Sequence, residues 1–192
     1  MKGSSGDTRH ISFSVPFERG DIPGLIRQYL KEDARGSVND SHIQALVSSI
    51  KRQRCLTLDQ LRTVARWKSP RSARLVDGNA EGYVRDDTGI ALSTPVERLR
   101  IEVLTLLDGV SWPTASVILH WFHEEPYPIL DRRALTSVGA GGHSYNFALW
   151  KQYTDFCRRE AKAAGISMRD LDRALWQHDL NLNRRTRAVA SG

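Results

Sequence analysis

Cysteine is scarce: Cys55 and Cys157 are the only two in 192 residues, too few for a four-thiolate iron–sulfur cluster or a four-cysteine zinc site. They stand far apart and in no metal-ligand spacing, so they read as free thiols rather than a disulfide. Long hydrophobic runs are missing as well. Nothing approaches the roughly 20 apolar residues that span a bilayer, and the opening MKGSSGDTRH has no apolar segment of a signal peptide. The expectation is a soluble cytoplasmic protein, nucleoid-associated if bacterial, with no membrane partner. No internal repeat, heptad run or long linker occurs, which excludes solenoids and coiled coils. Acidic residues are the minority, 22 against 28 Lys and Arg, for a net charge of +6. From Lys51 to Arg74 the chain places Lys51, Arg52, Arg54, Arg62, Arg66, Lys68, Arg71 and Arg74 against Asp59 alone. Such a run suits either a solvated helical face or a polyanionic partner.

What is present is helical periodicity. Residues 1–20 read as a flexible lead-in, with a short extended piece at Ile11 to Val15, and 21–192 as one helical domain. Asp21 is expected to cap a helix with Pro23 in its first turn and Leu25, Ile26, Tyr29 and Leu30 inward. Asn39 or Asp40 opens a second, striped by Ile43, Leu46, Val47 and Ile50. Thr57 and Gln60 form a capping box for a third, with Leu58, Leu61, Val64 and Ala65 buried. Ser69 and Pro70 are expected to restart it after Trp67 and Lys68. Gly78 to Ser93 reads as a loop. A capping box at Thr94 to Glu97 then launches a helix striped by Val96, Leu99, Val103 and Leu106. Past a stop at Gly139 to Gly142, Phe147, Trp150, Tyr153, Phe156, Cys157 and Ala161 stripe a long helix ended by Gly165. Ser167 begins the last helix, with Leu171, Ala174, Leu175 and Trp176 inward, before a basic tail of Arg184, Arg185 and Arg187. The fold class is all-α, about nine helices in two interleaved lobes.

Leu104 to Leu135 is the stretch richest in chemistry. Gly109 ends one helix where positive φ is wanted, and Pro113 is tolerated only in the first turn of the next, so the two form a hairpin over 95–123. Backbone N–H groups from Gly109 to Ser111 are left without intrahelical partners and suit an anion such as a DNA phosphate. The second hairpin helix carries Ala115, Ile118, Leu119 and Phe122 towards a core. Over 124–133, Pro126 and Pro128 hold the chain extended up to Asp131, which sits where a helix N-cap belongs.

The pattern L-x-G-V-x-x-x-T-A-x-x-I-L followed by P-I-L-D resembles the helix-hairpin-helix (HhH-GPD) DNA glycosylases related to endonuclease III. The match spans Leu104 to Leu135, one-sixth of the chain. The resemblance implies a helix-hairpin-helix that binds the DNA backbone and a catalytic carboxylate at Asp131. The position of the Schiff-base lysine in bifunctional members falls on Pro113, 18 residues before Asp131 (131 minus 113), as the family spacing requires. Proline has no amine, so imine formation is not expected there. Ser111 stands at the hairpin's usual second glycine, and the four cysteines of many relatives' cluster are missing.

The activity implied is that of a monofunctional DNA glycosylase in base excision, a hydrolase of N-glycosyl bonds acting on double-stranded DNA as a monomer. Asp131 would be catalytic; Gly109, Val110, Ser111, Trp112, Thr114, Lys68 and Arg71 would contact DNA. No cofactor is required and no side chain ligates a metal, though Na+ or K+ at the backbone of Leu107, Gly109 and Val110 would fit the family. The rival is a non-catalytic, structure-specific DNA-binding protein using the same hairpin, with Asp131 only a helix cap. His120, His123 and Glu124 share one side of a helix but have no third ligand set, and neither Lys68 nor Lys151 has a context that marks it as a nucleophile.

Overall fold

A computed structural model describes residues 10–190; the first part of the expected lead-in, residues 1–9, lies outside them. The described residues are all-helical, without a strand. In chain order the α-helices are α1 (Ile22–Asp33), α2 (Asp40–Gln53), α3 (Leu58–Lys68), α4 (Glu81–Ser93), α5 (Glu97–Glu102), α6 (Trp112–Phe122), α7 (Arg132–Ser137), α8 (Phe147–Ala164) and α9 (Met168–Ala190). Short 3-10 turns lie at Arg19–Asp21, Ala73–Gly78 and Val103–Leu106. No described helix is long and apolar enough to cross a membrane. The helices divide into two compact units, Arg27–Leu130 and the residues on either side of it.

In the Arg27–Leu130 unit α6 is the central rod. Thr114, Ala115, Ser116, Val117, Ile118 and Leu119 are all buried, the all-round burial of a helix with neighbours on every side. Helices α2, α3, α4 and α5 pack on it, supplying Ile43, Ile50, Leu61, Val64, Val84, Ala91 and Ile101. The expected caps hold at two starts. The Asn39 side chain accepts from Ser41 N–H, and Thr57 and Gln60 close a reciprocal box.

Three local expectations fail here. Gly78 to Ser93 is not a loop: α4 occupies Glu81–Ser93. Its buried face mixes Val84 and Ala91 with Asp87 and Thr88, and its N-cap is Ala80, so neither periodicity nor capping chemistry announces it. Pro70 does not restart α3; Ser69 is its C-cap, and the 3-10 turn Ala73–Gly78 follows. The helix before the hairpin begins at Glu97 without a side-chain cap and tightens to 3-10 geometry at Val103. The buried face is Arg100, Ile101, Val103, Leu104 and Leu107, while Val96, which precedes the helix, Leu99 and Leu106 are exposed. Arg100 is tolerated inside because its guanidinium donates to the Tyr127 hydroxyl and to the Thr94 carbonyl.

The other unit is built on α7, α8 and α9. Trp150, Tyr153, Phe156 and Cys157 of α8 are buried with Leu171, Ala174 and Leu175 of α9. Residues 11–15 form neither helix nor strand, and half-buried and exposed positions alternate along them; Phe13 stacks on Phe156 at 5.3 Å, and Ser14 N–H donates to the Val138 carbonyl. Ile22 and Leu25 cluster with Ala174, and Phe17, Ile26, Ala164 and Ile166 pack against them, whereas Leu30, expected inward, is exposed. Gly165, at φ 68, ends α8 as expected. Arg184, Arg185 and Arg187, expected as a basic tail after the last helix, belong to α9, which continues to Ala190.

Candidate functional site

The turn from Leu107 to Ser111 is shaped by glycine and by a distant asparagine. Gly109 adopts φ 77, and a Cβ there would lie 2.8 Å from the Val76 backbone nitrogen, so conformation and space both require glycine. Buried Asn79 grips the neighbouring residue from both sides: the Asp108 N–H donates to Asn79 Oδ1 at 2.9 Å, and Asn79 Nδ2 donates to the Asp108 carbonyl at 3.0 Å. The sequence does not single out Asn79, because it lies in a stretch that reads as a loop and its partner is 29 residues away.

Only part of the expected amide array is available. Val110 N–H is spent on the Leu107 carbonyl at 3.1 Å, while Gly109 and Ser111 N–H have no partner among the described residues. Ser111 is the N-cap of α6, its hydroxyl makes no capping bond and it is exposed, at a helix start where the dipole favours an anion. Pro113 sits in the first turn, as its missing N–H demands. Trp112 is half-buried; Thr114 is 1% exposed and faces the interior, which leaves its side chain no surface for a contact. Lys68 is half-buried at the end of α3, and Arg71 is exposed in the turn leading to the 3-10 segment that carries Val76 against Gly109.

The segment that runs up to Asp131 is stitched along α6. Ser116 Oγ donates to the Pro113 carbonyl at 2.7 Å and accepts the Leu130 N–H at 2.8 Å. One turn further on, His120 Nδ1 lies 2.6 Å from the Tyr127 carbonyl, and His123 Nδ1 accepts the Glu125 N–H. The histidines weighed as metal ligands are thus engaged by backbone. No group of three or more His, Cys, Asp or Glu that could hold a metal occurs among the described residues.

Asp131 is half-buried and is the N-cap of α7, with Oδ1 accepting the Arg133 N–H at 2.8 Å. Arg133 in turn pairs with buried Asp179 at 2.7 Å and lies over the Trp176 ring, which holds the start of α7 on α9. Burial, and after it the charge of Asp131, raises the pKa of the half-exposed Tyr145 phenol. Comparison with known proteins found no matching family model, no matching curated protein and no matching solved structure.

Proposed function

We propose that the chain is a monofunctional DNA N-glycosylase of the helix-hairpin-helix type, acting as a monomer on double-stranded DNA. The observation that carries this reading is the register of the segment ahead of Asp131. Ser116 ties Leu130 to the carbonyl of Pro113, so the acid follows at once from a residue anchored to the first turn of α6. An uncapped helix start and the chain leading to a carboxylate are therefore fixed to one rod, as backbone binding followed by base removal requires.

In this reading the Gly109 and Ser111 amides and the α6 dipole take a phosphate, with Arg71 and Lys68 adding charge. The target nucleotide is extruded, because the base stack hides its anomeric carbon. The N-glycosidic bond then breaks, its electron pair leaving with the base, and positive charge develops on the sugar. Ionised Asp131 stabilises that charge and takes a proton from the water whose oxygen bonds the anomeric carbon. Pro113 offers no amine, so no imine forms at its position. The oxygens of Leu107, Gly109 and Val110 are of the kind a monovalent cation takes. Leu107's already accepts from Val110 but keeps a second lone pair, and a bound ion would supply charge to the phosphate.

One observation favours the rival, a non-catalytic DNA-binding protein: Asp131 Oδ1 already performs a cap's ordinary work. Asp131→Asn separates the two. It keeps a capping oxygen and removes the charge, so folding and DNA binding should persist while base release is lost on a panel of duplexes carrying alkylated, oxidised, deaminated or mismatched bases. Parental base release by Asp131→Asn, or no release by the parent on any duplex, would leave only the binding role.

A further inference from the structure

A pocket of about 390 Å³ opens within the Arg27–Leu130 unit, at the opposite end of α6 from the Leu107–Ser111 turn. The 11 residues of α6 put about 16 Å of helix between the two, and the proposed chemistry makes no use of it. Its size falls in the lower part of the roughly 300–1,000 Å³ that small-molecule sites occupy. Ile50 of α2, Leu92 of α4 and Phe122 of α6 supply apolar wall, and Lys51, Arg54 and Arg100 supply positive charge against Glu124 and Glu125. Arg100 is the fixed member. Its side chain is 7% exposed, it is held by the Tyr127 hydroxyl and the Thr94 carbonyl, and its Nε proton has no acceptor among the described residues. His123 also lines the pocket and is kept in its neutral form: burial, and after it the charge of Arg100, lower its pKa. Because its Nδ1 accepts the Glu125 N–H, the ring proton stands on Nε2.

Arg54 is the residue that points to a ligand. It closes α2 at φ 54 and is the only residue other than glycine at positive φ among those described. Glycine takes that conformation without a Cβ clash and commonly ends helices there. The Arg54 side chain is exposed and makes no hydrogen bond or ion pair with the described residues, so the fold gains nothing from its guanidinium. Strained backbone of this kind collects at sites where a side chain has work to do. The dipole at the end of α2 accounts for Lys51, but not for an arginine in the left-handed region. We propose that this pocket binds a small monocarboxylate with an apolar body. The carboxylate meets Arg54, whose planar fork suits its two oxygens, and Lys51, while the body covers Ile50, Leu92 and Phe122 and buried Arg100 supplies a fixed charge. The charge count selects a monoanion: three cations against two carboxylates, with His123 neutral, leave one positive charge. A carboxylate balances that charge and a phosphate dianion exceeds it. The site stands whether or not the chain acts on DNA.

The test is a ligand-observed NMR titration of the full chain with phenylacetate, naphthylacetate and octanoate, each beside its neutral amide, and with acetate and phenyl phosphate. The three acids should bind, and their amides should bind on the order of tenfold more weakly, as the loss of charge-assisted hydrogen bonds implies. Acetate, which covers no apolar wall, should bind more weakly than phenylacetate. The double variant Lys51→Met, Arg54→Gly removes two exposed cations and should weaken the acids roughly five- to tenfold while leaving the amides unchanged. The charge-conserving pair Lys51→Arg, Arg54→Lys should keep the parental affinity for the acids. Urea denaturation of Arg54→Gly alone should give a midpoint at or above the parent's, because glycine relieves the left-handed backbone; a lower midpoint would show that the fold needs Arg54 and would overturn the reasoning. The site would also be overturned by equal affinity for acid and amide, or by tighter binding of phenyl phosphate than of phenylacetate. Acids that bind the double variant as tightly as the parent, or no acid bound at a few millimolar, would do the same. None of these measurements involves DNA, so each outcome leaves the glycosylase reading where it stands.

Discussion

Asp87 offers the most quantitative test of how the Arg27–Leu130 unit is held together. Its carboxyl is 3% exposed on the buried face of α4, and neither oxygen has a hydrogen-bond partner among the described residues. Desolvation raises its pKa from 3.8 to about 7, because the charged form loses water and gains nothing in return. The sign of the linkage follows. Below 3.8 the group is protonated in both states and costs nothing. As pH rises, the unfolded chain releases the proton while the folded chain retains it, so stability falls until the folded form also ionises near pH 7. The full loss is about 4 kcal/mol, from a shift of roughly 3 units at 1.36 kcal/mol each. Asp87→Asn is neutral throughout and removes the dependence. Urea denaturation followed by fluorescence of Trp67, Trp112 and Trp121 should show the stability of Asp87→Asn rising relative to the parent by about 2–3 kcal/mol between pH 5 and pH 7, then levelling. A difference constant over that range would mean the carboxylate is ionised at little cost, and the desolvation argument would fail.

Further outcomes bear on the turn and on the chemistry. Gly109→Ala must hold a side chain at φ 77 within 2.8 Å of Val76 nitrogen, so it should destabilise by more than the roughly 1–2 kcal/mol of left-handed backbone alone and weaken duplex binding on all sequences alike. Asn79→Ala removes both bonds to Asp108 and should cost about 1–3 kcal/mol in urea midpoints, with a loss of duplex affinity; unchanged affinity would separate the turn's shape from binding. Borohydride should trap no adduct between the chain and an abasic duplex, since Pro113 cannot form an imine, and efficient trapping would assign the amine to another residue.

Legibility in the sequence follows how local each determinant is. The α3 box at Thr57, the Gly165 stop and the Asp131 cap were readable because each depends on neighbours within four positions. Helix α4 was hidden because buried Asp87 and Thr88 break the apolar stripe on which periodicity relies. The stripe of Val96, Leu99 and Leu106 misled because the helix starts only at Glu97 and buries the face of Arg100 and Ile101, a choice set by its neighbours in the fold and not by its own apolar spacing. At the candidate site, Gly109 and Asp131 stood out by residue type and spacing. Asn79 and Ser116 did not, since an Asn among polar residues and a Ser inside an apolar helix gain meaning only from partners 29 and 14 residues away.

The Asn79 clamp makes the Leu107–Ser111 turn a product of tertiary assembly and not of its own sequence. A peptide spanning 103–122 would contain Gly109, Pro113 and the whole of α6, yet neither the Asn79 amide nor the Val76 backbone that confines Gly109. Each unconstrained residue recovers about 1–2 kcal/mol of conformational freedom, so the excised segment would sample many loop shapes and present its amides in none of them for long. Transplanting the motif into another helical scaffold would accordingly require carrying the 3-10 turn Ala73–Gly78 and Asn79 along with it, although α4 and α5 separate them in the chain.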